Sequence, residues 1–197
     1  MKDLTDISLA TKAAVFHDQK AFGRLVVKYQ SPVRRFFLTQ THGNEALSDD
    51  LAQDTFVKAY TRIGQFRGAS SFSTWLYRIA YNIYIDHTRA QHAAMETGHD
   101  PSFRVPPAVE TGQTPSLRLD LHRALATLTD HERLCVTMQM IDGHTIEEIA
   151  SVSGMAQGTV KSHLFRGKQK LANYLRSNGY DRERRLPASK RNKEQRI

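Results

Sequence analysis

The sequence predicts an all-α protein of two small helical domains joined by a flexible linker. Three observations carry this. Apolar residues recur at three-and-four spacing along most of the chain, the period of an amphipathic helix. No segment alternates apolar and polar residues as a half-buried strand would. One stretch, "HAAMETGHDPSFRVPPAVETGQTPS" at 92–116, breaks the pattern with four of the six prolines and two glycines. Such a composition reads as an extended tether. The expected organisation is a first domain over 1–91, a linker over 92–116, a second domain over 117–178 and a tail over 179–197.

Taken in order, "ISLATKAAVFHDQKAFGRLVVKYQ" and "VRRFFLTQ" are helical by period, with Ser31-Pro32 as a kink or restart between them. "EALSDDLAQDTFVKAYTRIGQF" follows, then "SSFSTWLYRIAYNIYIDHTRA", where Ser70, Ser71 and Ser73 are N-cap candidates. Beyond the linker come "SLRLDLHRALATL", "TDHERLCVTMQMI", "TIEEIASVS" and "GTVKSHLFRGKQKLANYLRS".

Composition narrows the function. At 197 residues the chain can bury a core in one or two domains. No apolar run reaches the eighteen or so residues of a membrane span, and the acidic start of the chain does not read as a signal peptide. The single Cys135 excludes an internal disulfide and suits a reducing cytosol. The net charge of +8 favours a polyanionic partner, but the last seventeen residues carry seven bases and three acids, half of that excess. The tail is therefore expected to be disordered and to act electrostatically at most.

Near the C-terminus, Thr145 and Glu148 fit a capping box, and Ile146, Ile149 and Ala150 give the helix an inner face. Gly154 falls where a sharp turn needs positive φ, and a second helix starts near Gly158-Thr159 with Val160, Leu164 and Leu171 inward. This is the spacing of a helix-turn-helix. The outward face of the second helix carries Lys161, Ser162, His163, Arg166, Lys168 and Lys170, with no acid from Thr159 to Leu175. Long cations and a hydroxyl suit phosphates and guanine edges, so DNA binding is preferred to a merely solvated face.

The 66–86 stretch poses a different question. Phe66, Phe72, Trp75, Tyr77, Tyr81 and Tyr84 are six of seventeen aromatics in the chain. On one helix, Phe72, Leu76, Ile79, Ala80 and Ile83 form an apolar stripe. Trp75, Arg78, Asn82 and Arg89 form a second, and the tyrosines a third. Any single ring, Trp75 included, reads most simply as core. A helix ringed on all sides must also meet something beyond its own domain, and stacked bases are one candidate.

With "DLAQDTFVKAYTRIGQFRGASSFSTWLYRIAYN" upstream and the helix-turn-helix downstream, the chain resembles a bacterial RNA polymerase sigma factor. It is similar to the extracytoplasmic-function (ECF) group, which keeps only the second and fourth conserved regions, here about 8–91 and 117–176. The resemblance implies a cytoplasmic initiation factor that binds core polymerase (its β′ and β subunits) and promoter DNA. It also implies no catalysis, cofactor, metal or membrane insertion of its own, and an anti-sigma factor as a common regulator in the family. By position, Asp50, Gln53, Asp54 and Phe56 match the surface that grips the β′ coiled coil. Phe66, Ile79, Ala80 and Asn82, with the loop from Arg67 to Ser73, match the pocket for a base flipped from the minus-ten element. Lys161, Ser162, His163, Phe165, Arg166 and Lys168 match positions that approach the minus-thirty-five element. Relatives often carry arginine where Lys161 and His163 stand. Neither can make the arginine fork on guanine, so a phosphate contact is expected of Lys161.

Two other readings are weaker. "GTVKSHLFRGKQKL" also resembles the DNA-binding helix of response-regulator activators, but their receiver domain needs alternating strands and helices that 1–91 lacks. Nine histidines invite a metalloenzyme, yet there is no HExxH and no Cys/His set at ligand spacing.

Overall fold

The computed structural model describes residues 4–96 and 117–180, and all the secondary structure there is helical. The expectations about most of the linker and the tail fall outside those residues. The first half holds α1 (Leu4–Phe16), α2 (Gln19–Gln40), α3 (Glu45–Thr61), a 3₁₀ turn (Ile63–Gln65) and α4 (Phe72–Glu96). The second holds α5 (Leu117–Ala126), α6 (Asp130–Met140), α7 (Ile146–Ser153) and α8 (Gln157–Ser177).

Several boundaries differ from those read off the period. The 7–30 segment is two helices, because His17 adopts φ +52° and the Asp18 side chain accepts from the Lys20 and Ala21 N–H groups, starting α2 afresh. At Ser31-Pro32 no restart occurs and α2 runs on to Gln40. Pro32 sits inside this helix, where it lacks the N–H that would bond the carbonyl one turn back. Farther on, α4 continues to Glu96, five residues into the stretch read as linker.

Each half packs its helices face to face. Phe36, Phe37 and Val33 of α2 meet Leu51 and Ala59 of α3 and Phe72, Leu76 and Ile83 of α4 in one buried cluster. In the second half Leu134, Cys135, Val136 and Met138 of α6 pack with Ile149, Val152, Val160, Leu164 and Leu171. The first helix of the turn motif is capped at both ends as its sequence dictates: Thr145 and Glu148 complete their reciprocal box, and Gly154 ends α7 at φ +74°.

The halves are docked on one another, α2 against α6 and α4 against α7. Arg35 Nη2 donates to Asp142 Oδ1 at 2.6 Å, Gln40 Nε2 to Thr137 Oγ1 at 3.3 Å and Thr74 Oγ1 to Glu148 Oε1 at 3.4 Å. The Tyr77 ring lies edge-on to His144, with centroids 4.8 Å apart. Burial, then the nearby Asp142, pushes the Tyr77 hydroxyl far above its ordinary range, so it stays protonated and can donate. The tyrosine stripe of α4 (Tyr77, Tyr81, Tyr84) is therefore buried, and it meets the other half of the same chain.

Candidate nucleic-acid and partner-binding surfaces

Three surfaces emerge where one face of a helix is fixed by packing and the opposite face is left outward. On α3, Asn44 caps the N-terminus by accepting from the Leu47 N–H at 3.1 Å. Leu51, Thr55 and Ala59 are buried, which turns Asp50, Gln53 and Asp54 to solvent. Phe56 is half-buried at the edge of this polar stripe, and Lys58 lies 3.9 Å from Asp86 of α4. The helical spacing seen in the sequence sorted this face correctly.

The second surface is built by the 3₁₀ turn, the loop after it and the outer side of α4. Gly68 takes φ +67°, which sharply bends the chain. The loop is shorter than Arg67 to Ser73: α4 begins at Phe72, and of the three candidate serines it is Ser71 that accepts from the Thr74 N–H at 3.1 Å. Phe66 packs on both Phe72 and Trp75 with centroids 5.5 Å away. Arg67 and Asn82 are exposed and Phe66 is half-buried. Ala80 is 0% exposed and Ile79 only 7%, so in this conformation neither offers a free wall to a ligand. Trp75, on the stripe of Asn82, is half-buried and touches Phe66. Its stripe was legible in the sequence, but only its half-burial, at the edge of the core it packs on, separates it from a core tryptophan.

The third surface is α8. Val160, Leu164, Gly167 and Leu171 face inward, and Lys161, Ser162, Phe165 and Arg166 line one open groove. Phe165 is 69% exposed, a position no core demands. His163 and Lys168 do not join this group. Lys168 Nζ donates to Gln139 Oε1 at 2.6 Å, and the His163 ring packs on His131 at 5.4 Å, both on α6. Lys170 Nζ likewise donates to the buried Glu132 at 2.7 Å. The whole outward stripe looks cationic in sequence, but α6 engages half of it. Gly167 shows why: a Cβ there would stand 2.7 Å from Val136 Cγ2, so α8 lies unusually close to α6.

Among the described residues no three His, Cys, Asp or Glu side chains are grouped to hold a metal. No helix there is long and apolar enough to cross a membrane.

Comparison with known proteins agrees with this geometry. The family models for Sigma-70 region 2 and Sigma-70 region 4 match residues 25–94 and 118–171. The ECF RNA polymerase sigma-E factor of Escherichia coli K12 is 32% identical over 168 residues, 79% of this chain and 87% of that one. The RNA polymerase sigma-H factor of Pseudomonas aeruginosa PAO1 is 32% identical over 166 residues, 78% of this chain and 86% of that one. Among solved structures, CnrH in complex with the cytosolic domain of CnrY aligns with TM-score 0.67 and 27% identity, over 88% of this chain and 99% of that one. The sigma factor RpoE bound to the anti-sigma factor NepR from Bartonella quintana aligns with TM-score 0.68 and 26% identity, over 80% and 98%. Two sigma regions in order, with relatives matched along most of their length, place this chain in the ECF group of RNA polymerase sigma factors.

Proposed function

We propose that this sigma factor grips core polymerase through Asp50, Gln53, Asp54 and Phe56 of α3. It reads the minus-ten element with Phe66, Arg67, Trp75 and Asn82. It reads the minus-thirty-five element with Lys161, Ser162, Phe165 and Arg166. The observation that carries the reading is the division of each helix into a packed face and an outward face. The outward faces of α3 and α8, and the outer side of α4, hold groups suited to these partners. A half-buried aromatic wall accepts the face of an unpaired base, and an exposed Asn amide can donate and accept along a base edge. On α8, Arg166 suits a guanine edge and Lys161 a phosphate.

In this reading the chain acts in the cytoplasm, without catalysis or cofactor, by binding alone. The solved relative bound to NepR supports a protein regulator of the same anti-sigma class. The α3 assignment is tested by replacing Gln53 and Asp54 together with Ala, since both side chains lie outside the core. The folded double variant is expected to lose co-purification with core polymerase; full recovery with core would overturn the assignment.

A further inference from the structure

The contact between His131 and His163 serves neither the core nor the outward groove. His131 stands in the first turn of α6, and His163 lies one helical turn before Gly167, where α8 comes closest to α6. The two imidazoles are tilted by 45° with centroids 5.4 Å apart. His163 Nδ1 has no accessible surface and no hydrogen-bond partner among the described residues. Lys161, Ser162, Phe165 and Arg166 line the open groove of α8 and His163 does not.

We infer that His163 is a positioning residue of the recognition helix: its neutral ring, seated on His131, holds α8 on α6, and acidification loosens that seat. This rests on α8 being the upstream-element reader. A protonated His163 would carry an N–H on Nδ1 with nothing to receive it, which is costly for a buried polar group. The charges facing the ring come from both elements. From α6 these are His131 and Glu132, whose carboxylate is already held by Lys170; from α8 it is Arg166. Burial, then His131 and Arg166, holds the His163 imidazole below its ordinary 6.5, against the opposing pull of Glu132. A base with a lowered folded-state pKa stabilises the packed form fully above about 6.5 and loses that contribution as pH falls through the lowered value. A base-reading histidine would respond in the opposite sense, since its positive form is drawn to phosphates.

The test uses the full chain and the holoenzyme. First, thermal melting of the wild type, His131→Gln and His163→Leu is followed from pH 7.5 to 5.5. The wild type is expected to lose more than either variant, by about 2–4 °C for each fivefold change in its folding constant. Second, holoenzyme is timed on the genomic promoter fragment that the wild type retains longest. At pH 7.5 His163→Leu should keep the residence time within about twofold, because an apolar side chain can fill the seat. A base reader would lose about 5–150-fold, the equivalent of one good base contact. Identical pH profiles for the wild type and both variants, or a loss of that size in His163→Leu, would overturn the inference. Arg166→Ala serves as the control. If it too retains promoter fragments like the wild type, α8 is not the reader, and the melting profiles alone decide whether the histidine seat exists.

Discussion

Gly167 occupies the middle of α8, where glycine costs about 1 kcal/mol relative to alanine. Its place is explained by the Cβ it lacks, which would meet Val136 at 2.7 Å and Glu132 Cβ at 3.4 Å. Val136 is itself buried and β-branched, so it cannot swing aside freely. Gly167→Ala should therefore destabilise the second half by about 1–2 kcal/mol, overpacking outweighing the gain in helix propensity. A urea midpoint unchanged or raised would show that α6 yields instead. Asn82 is the converse case, an exposed side chain with no packing duty. Asn82→Ala is expected to leave the melting temperature and polymerase binding unchanged and to reduce open-complex formation. Because an amide reads edges and does not wedge a duplex apart, the defect should persist on a template already unpaired across the minus-ten element. Full activity there would assign Asn82 to melting; a clear fall in melting temperature would assign it to the core.

Among the elements, α4 shows three kinds of face on one helix. Phe72, Leu76 and Ile83 are buried among α2 and α3, Tyr77 meets His144 near α7, and Trp75, Arg78 and Asn82 look outward or stand half-buried. Leu76→Ala should open a cavity costing about 2–5 kcal/mol, read as a lowered denaturant midpoint. A second element-level prediction concerns α6. Its Glu132 closes the capping box with Thr129 and accepts from Lys170 at 2.7 Å. Burial pushes the Glu132 carboxyl up, but Lys170 and Thr129 outweigh it, and the net shift is below the ordinary 4.5. The resulting stability is present above about 4.5 and is lost as pH falls through the lowered value. Glu132→Gln should accordingly flatten the acid limb of the melting profile below that pH. An acid limb as steep in the variant as in the wild type would place the acid sensitivity elsewhere.

At the scale of the whole molecule, docking of the two halves sets what the chain can reach. A compact body of this size is about 40 Å across. Promoter elements named for positions about 25 base pairs apart lie roughly 85 Å apart at 3.4 Å per step. If the two halves read the two elements as proposed, the docked arrangement is too short to serve both on straight DNA at once, and the seam between the halves is expected to part. Arg35 is half-exposed while its partner Asp142 is nearly buried, so removing the guanidinium leaves that carboxylate in the seam without its cation, with the Tyr77 hydroxyl still beside it. Arg35→Ala should weaken docking by about 1–3 kcal/mol. With labels at the exposed Arg24 of α2 and Arg176 of α8, energy transfer should fall in that variant. It should also fall in the wild type on addition of core polymerase. Transfer unaffected by both would mean that the halves move as one body.

Local patterning was sufficient for much of this protein. The three-and-four spacing gave the all-α class and the inner faces of α3, α4, α7 and α8, because which side of a helix is apolar depends only on neighbours along the chain. Capping chemistry gave the Thr145 box and the Gly154 turn for the same reason. It could also have given the Asp18 start of α2, had the His17-Asp18 step been weighed against an unbroken period. What sequence patterning could not decide were the outcomes set by contacts distant in sequence. Three of these are the burial of the tyrosine stripe against α6 and α7, the engagement of His163, Lys168 and Lys170 by α6, and the need for glycine at 167. In each, a residue is covered or crowded by a helix about 30 or more residues away in the chain. That outcome depends on how closely two surfaces approach, a quantity fixed by packing and not by period.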